Sequence, residues 1–319
     1  MKKYELIKEG KLFRIRALKD FDDVKEWELG GLVSGEHNLS QQGECWVYAY
    51  AIVFGNAQIS GNAKVFGNAQ ISGNAKIYGN AQILGNAKVY GNAQISGNAG
   101  IFGNARIYGN TKVSNNVKIY GNASICNNAK VSGNVKVFGN AKVSGNAKVY
   151  EDARISGNAQ ISEDAEIFGC AVVFNNAKVF GNAKVFGCAE VFNDAIVFGN
   201  AQIFEDAEIL GSAKVYDNVM ISGDVKVFGD AQIFRDVEVS GYAEISGNAQ
   251  ATKKVITFID IFCYDITITD NHIKIGCQQH LKSEWENFTD KEIIEMDGKM
   301  ALKFWRLFKP FAESMGVFD

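Results

Sequence analysis

A β-branched aliphatic residue returns at every sixth position from Val47 to Ile245, beginning Val47, Val53, Ile59, Val65, Ile71. Thirty-four such positions follow one another without an insertion or a deletion. Two residues before each stands a small residue, usually Ala (Ala57, Ala63, Ala69), in places Val, Thr or Cys (Val117, Thr111, Cys45). In Ala63-Lys64-Val65-Phe66 the alternation is that of a short strand with Ala and Val inward, Lys and Phe outward. Gly67-Asn68 then supplies a corner, because Gly and Asn best tolerate left-handed backbone angles. The corners never alternate in character, which argues against a hairpin meander. The unit closes instead as a coil of three strands, 18 residues per turn, each strand parallel to the one below at about 4.8 Å. The expected fold is all-β, a single-stranded parallel β-helix of about 11 coils at that spacing.

The Ala-x-Val/Ile-x-Gly-Asn hexad resembles the hexapeptide-repeat, left-handed β-helix family, and the left hand is what that resemblance implies. Periodicity does not give the hand, and parallel crossovers in general favour the right. A right-handed pentapeptide helix is disfavoured because the period is six.

Three segments are expected: 1–46 as an N-terminal cap and lead-in, 47–250 as the β-helix, and 251–319 as a C-terminal α+β module. Tyr4–Ile7 and Leu12–Leu18 read as a hairpin that covers the open edge of the first coil. Asp20-Phe21-Asp22-Asp23-Val24, Gly30-Gly31-Leu32-Val33 and Asn38–Tyr48 follow. Over residues 13–50, and more loosely along the whole rod, this combination resembles the YdcK-like family of bacterial and phage-borne proteins. Leu32 stands where that family usually has Trp. The resemblance implies the fold and adds little about activity. In the C-terminal module, Val255–Ile261 and Ile266–Ile275 look strand-like, with a turn at Asp270-Asn271. Thr289–Glu292 is a capping box that opens a short helix. A second helix is expected near Lys299–Ser314, which Pro310 should kink or end. Capping the last coil is its expected task, partner docking the alternative.

With 47% apolar residues the chain can bury a large core, which excludes disorder. Its opening residues carry charges where a signal peptide needs an apolar stretch, and no 18-residue apolar run occurs. A soluble, cytoplasmic protein with no membrane partner is therefore expected. Six cysteines are too few for a disulfide scaffold.

Known enzymes of the hexapeptide family use a His base for acyl transfer from acyl-CoA, or three His ligands to zinc for carbonic anhydrase chemistry. This chain has only His37, His272 and His280, all outside the rod. General-base chemistry near neutral pH most often uses His, so no catalytic residue, no cofactor and no enzyme activity are expected. Cys277-x-x-His280 has a ligand-like spacing, with Cys263 and His272 nearby, but paired zinc-binding spacings are missing. Packing and hydrogen bonding are the default there, ahead of a metal site or a Cys–His nucleophile. Cys170 and Cys188 are 18 residues apart, so they stack within disulfide range; two free thiols are the default in a reducing compartment.

The residue after each inward Val or Ile is aromatic in 20 of 34 hexads, and one face carries a nearly unbroken apolar stripe. Phe66, Phe102, Tyr120, Phe138, Phe174 and Phe192 on that face are candidate partner-binding residues, with a stiffening ladder of rings as the alternative. Charge is uneven as well. Residues 51–150 hold ten basic and no acidic residues, whereas 151–250 hold six basic and sixteen acidic. Lys112, Lys130 and Lys148 stack on successive coils of a second face, a weaker candidate for binding an anion such as nucleic acid. The expected function is a non-catalytic scaffold that binds a protein partner or itself. Alternatives are a nucleic-acid role, through the basic half or through polyanion mimicry by the acidic half, and a hexapeptide-type acyltransferase.

Overall fold

The computed structural model describes residues 2–253, 255–261 and 264–318. It is a parallel β-solenoid of about 12 turns with a C-terminal helix and a small antiparallel sheet. Two compact units divide it, Met1–Gly187 and Cys188–Asp319.

In the first unit, β1 (Tyr4–Glu9) and β2 (Leu12–Ala17) form the expected antiparallel hairpin. β3 (Leu29–Val33) runs antiparallel to β2 on one side and parallel to Ile52–Val53 on the other, so it converts one pairing mode into the other. Leu39 bridges Ile59 in parallel. Val33 and Leu39 thus form a turn of the coil ahead of Val47, where the strict period has not yet begun. Glycine is required at 31, since a Cβ there would lie 2.4 Å from the Ala51 carbonyl oxygen and 2.7 Å from that of Tyr48.

Each rung of the solenoid is a two-residue strand, such as Lys64–Val65 paired with Gln82–Ile83, shorter than the four residues of alternation. The outward Phe66 already begins the corner, yet its N–H still donates to Ile83 O at 2.8 Å. Inward Ala and Val/Ile side chains are fully buried throughout, from Ala51 and Val53 to Ala183 and Val185. Thr111 takes one of these small inward positions, and its buried hydroxyl has no hydrogen-bond partner. Such a group costs about 1–3 kcal/mol. Thr111→Val, which copies Val117 and Val135, is therefore expected to raise the denaturant midpoint by roughly 1 kcal/mol of stability. A lower midpoint would show that the hydroxyl does find a partner.

The first corner residue has positive φ, as at Gly73 (67°), where a Cβ would come within 2.8 Å of Gly91 N. Glu151 and Glu163 adopt the same conformation, with φ of 61° and 58°. Their carboxylates accept hydrogen bonds from the next coil's Gly169 N (2.8 Å) and Gly181 N (3.0 Å). Charge-assisted bonds offset the backbone strain. Part of the acidic excess after residue 150 therefore has a structural use.

The second corner residue builds side-chain ladders. Asn56 donates to Asn74, and the chain of amides continues through Asn92, Asn110, Asn128 and Asn146 to Asp164, with Nδ2–Oδ1 distances of 2.9–3.2 Å. A second ladder runs from Asn62 to Asp152 and a third from Asn68 to Asn176. Every donation points toward the later coil. An ionised Asp can only accept, and Asp152 and Asp164 stand at the receiving ends.

A clamp joins the cap to the first coils. Tyr48 OH donates to Asp23 Oδ1 at 2.5 Å, and Lys64 Nζ lies 2.9 Å from the same oxygen while also pairing with Asp22. The Tyr48 hydrogen bond and then that of Lys64 hold the Asp23 carboxyl below its usual range. A depressed folded-state pKa contributes stability above the unfolded pKa, and that stability is lost as pH falls through the folded value. Acid is expected to loosen the cap in that window, while Asp23→Asn should flatten the dependence. Thermal melts of both proteins from pH 5 to 2 check this; parallel curves would contradict it.

In the second unit, two-residue rungs pair in parallel, Glu190–Val191 on Glu208–Ile209 and Gln232–Ile233 on Gln250–Ala251. Four antiparallel strands follow in chain order: Ile256–Ile261, Tyr264–Ile268, His272–Ile275 and Gln278–Leu281. α1 (Lys282–Asn287) and α2 (Asp290–Ser314) cover them, burying Ile266, Ile273, Trp285, Phe304, Trp305 and Phe308. Thr289 and Glu292 form the capping box. Within α2 the two expected helices lie one after the other, separated by the non-helical backbone of Asp297 and Gly298 (φ 72°). Pro310 does not end α2, which runs on to Ser314. Cys170 and Cys188 are each disulfide-bonded and not the free thiols expected, whereas Cys45, Cys126 and Cys277 are free. Among the described residues no helix is long and apolar enough to cross a membrane.

Candidate functional site

The stripe candidates Phe66, Phe102, Tyr120, Phe138, Phe174 and Phe192 are all half-buried. Tyr48 stacks on Phe66 at 4.1 Å between centroids, and Tyr120 on Phe138 at 4.9 Å. Other faces do the same, with Tyr90 on Tyr108 and Tyr150 on Phe168 on Phe186. Phe102 departs from the stripe. Gly100 leaves an empty outward position, and a Cβ there would meet the Phe102 ring at 2.4 Å, so the ring lies back over its own strand. Gly100 is the signal in the sequence, because it stands where neighbouring hexads carry Lys, Arg or Gln.

Lys112, Lys130 and Lys148 stack in register on successive coils, followed by Glu166 and Lys184. A groove of about 500 Å³ runs beside Lys130, Lys148, Glu166 and Lys184. Glu166 accepts from Lys148 at 2.7 Å and lies 3.9 Å from Lys184 Nζ. The Glu166 hydrogen bond pushes the exposed Lys148 ammonium up from its usual pKa. Among the described residues, Lys112 and Lys130 have no ion-pair partner.

Cys277 is exposed, and its thiol lies 3.9 Å from Gln278 Nε2. His280 packs edge-on against Trp285 and Phe288, with Nδ1 3.8 Å from Glu284 Oε2. Its Nε2 and the Nδ1 of His272 are buried without partners. Burial pushes the His272 pKa down, with Glu284 opposing and His280 adding to the effect. No group of three His, Cys, Asp or Glu side chains able to hold a metal occurs among the described residues. Cys263 lies outside them.

His37 differs from the other two histidines. It sits exposed on a one-turn 3-10 helix, Glu36–Asn38, against the corner at Gly55. Its Nε2 is 2.8 Å from the Gly55 carbonyl oxygen. A carbonyl only accepts, so Nε2 carries the hydrogen, and in the neutral ring the lone pair is then on Nδ1. Gly35 makes room for the ring, since a Cβ there would lie 2.9 Å from Nδ1. Asn38 is buried beneath and holds the loop, accepting from Ser34 N at 2.9 Å and donating to Ala57 O at 2.8 Å. A ring fixed at one nitrogen and open at the other has the geometry of a general base.

Comparison with known proteins bears on both fold and function. Residues 57–73 and 69–85 match the YdcK beta-solenoid repeat. A 79-residue stretch is 38% identical to an Escherichia coli K12 protein named "Uncharacterized acetyltransferase YdcK", over 20% of this chain and 24% of that one. The match thus spans about a quarter of the relative's length. A solved Bacillus cereus structure, the product of the BC4754 gene, also carries the word acetyltransferase in its name. It is 15% identical, covering 61% of this chain and 99% of that one at a TM-score of 0.22, too low to carry an argument. The expectation of a non-catalytic scaffold with no enzyme activity is corrected by the acetyltransferase name of the E. coli relative. That expectation weighed the lack of His within the rod, whereas His37 stands in the cap against the corner at Gly55. Repeat, register and sequence match together make this chain a hexapeptide-repeat β-helix protein resembling the YdcK-like family.

Proposed function

We propose that the protein is an acyltransferase of the hexapeptide type, moving an acetyl group from an acetyl thioester such as acetyl-CoA to an amine or hydroxyl acceptor. The reading is supported by the 38% identity to a protein named an acetyltransferase. His37 is the residue we assign as general base. Its Nδ1 would take the acceptor's proton as the acceptor attacks the thioester carbonyl, while Gly55 O holds Nε2–H and fixes the ring. The test is thiol release from acetyl-CoA, measured with panels of amine and sugar acceptors. No turnover above the rate without protein, on any acceptor class, would refute the reading.

Lys112 and Lys130, without carboxylate partners, support a second reading in which the basic segment captures an anionic partner such as nucleic acid. Binding of a DNA duplex that collapses between 50 and 200 mM salt, and that weakens when both lysines become Gln, would favour it. Salt-insensitive association would favour a protein partner or a second copy.

A further inference from the structure

Cys45 stands at the small inward position two residues before Val47, where the following hexads carry Ala51 and Ala57. Its thiol is fully buried, and Lys3 is 98% buried beside it, with only 2% of its surface exposed. Lys3 Nζ lies 3.3 Å from Cys45 Sγ. Its other partners are two carbonyl oxygens, Gly43 at 3.1 Å and Cys45 at 2.9 Å; among the described residues no carboxylate forms an ion pair with it, and Glu44 acts on it only from a distance. The amine also faces the Phe21 ring, 5.2 Å from its centroid. A buried amine with no carboxylate in contact, held against a thiol, is costly to keep merely for packing.

We propose that Lys3 and Cys45 are an oxidation-driven cross-linking site, in which peroxide converts the pair to a sulfenamide joining Nζ to Sγ. The thiol proton first passes to the amine, giving a thiolate and an ammonium in contact. The thiolate attacks hydrogen peroxide, the O–O bond breaks, and sulfur is oxidised to sulfenic acid. The proton held by the ammonium goes to the departing hydroxide, which leaves as water, and the amine is neutral again. The Nζ lone pair then attacks sulfur, the S–O bond breaks, and a second water carries away the hydroxyl and one amine hydrogen. Overall, one peroxide is reduced, two waters form, and the pair loses two hydrogens. Sulfenic acids condense with nitrogen in this way when one is held against the sulfur. Burial pushes the Lys3 pKa down, which favours the neutral amine that the second step needs. Burial raises the Cys45 pKa, and Lys3 opposes that rise. The bond would tie the chain just before β1 to the start of the first regular coil.

The protein carries its own comparisons. Cys126 is buried and free beside the Tyr108 hydroxyl, and Cys277 is free and exposed. The full-length protein is treated with hydrogen peroxide, digested and analysed by mass spectrometry, with thermal melts before and after. The expected result is a peptide pair joined through Lys3 and Cys45, lighter by two hydrogens than the sum of its parts. Dithiothreitol should reverse it, and the melting temperature should rise on oxidation. Cys45→Ala, which installs the residue of the following hexads and keeps the fold, should show neither product nor shift. Recovery of Lys3 unmodified, with Cys45 either a free thiol or a sulfinic acid, overturns the proposal. An unchanged melting temperature despite a joined pair would leave the site chemical but overturn its role as a tie.

Discussion

Val137→Asp is expected to leave little folded protein, whereas Lys136→Asp, one residue away, should melt like the parent. Val137 is fully buried and stacks in register between Ile119 and Ile155. A carboxylate there meets only aliphatic groups from the coils above and below. Ionised, it pays a desolvation cost far beyond the stability of one rung; protonated, it is still an unpaired polar group, several kcal/mol worse than valine. The damage spreads, because a solenoid is stable only through its neighbours, and a failed rung uncouples the coils on either side. Lys136 points outward between Lys118 and Arg154. An Asp there has a cation on each side, so the change should stay within about 0.5 kcal/mol. Denaturant midpoints for the two variants decide it. Equal midpoints would mean that the facing is wrong.

His37→Ala should lower acetyl transfer by roughly 10²–10⁴-fold, the range for losing a positioned general base, while leaving the fold intact. The ring is exposed and makes one hydrogen bond, to Gly55 O, an oxygen that Asn38 Nδ2 also reaches at 3.0 Å. Circular dichroism and the melting temperature should therefore be unchanged. Gly35→Ala offers a graded comparison. Gly35 is extended, so alanine adds no backbone strain there, but its methyl would press on Nδ1. That variant should lose part of the activity without losing the histidine. Turnover in His37→Ala equal to the parent would remove His37 from the reaction. Should His280→Ala lose activity instead, the base would belong to the C-terminal module.

The rod was legible because its rule is local and repeated. Ala at one position, Val or Ile two later, and Gly-Asn at the corner each answer to a backbone or burial requirement that a single hexad displays. The turn before Val47 was hidden because Val33 and Leu39 sit off the strict six-residue count. The use of Glu151 and Glu163 was hidden too, since composition records their charge but not that each accepts an N–H from the next coil. His37 was visible as a residue but not as a candidate base. Its significance comes from Gly55 O, which the chain brings beside it because Leu39 bridges Ile59, an offset two residues longer than the 18 of the coil. Lys3 and Cys45 gave a half-signal: a cysteine in an alanine position, with nothing in the sequence to bring an amine to it.

The asparagine ladders give the first unit a direction in which it can age. Spontaneous deamidation turns an asparagine into an aspartate, which alters one atom and reverses what that atom can offer. At Asn98 the new carboxylate would still accept from Asn80, but it would face the Oδ1 of Asn116 with no hydrogen to give. Two acceptors would then stand at hydrogen-bond distance, and each rung beyond would lose the polarisation passed along from the break. At the position of Asp152 the same chemistry would do no harm, because the last member of the row is never asked to donate. A slow chemical clock running uniformly over the surface would therefore be felt unevenly, sharply in mid-row and hardly at all at the receiving end.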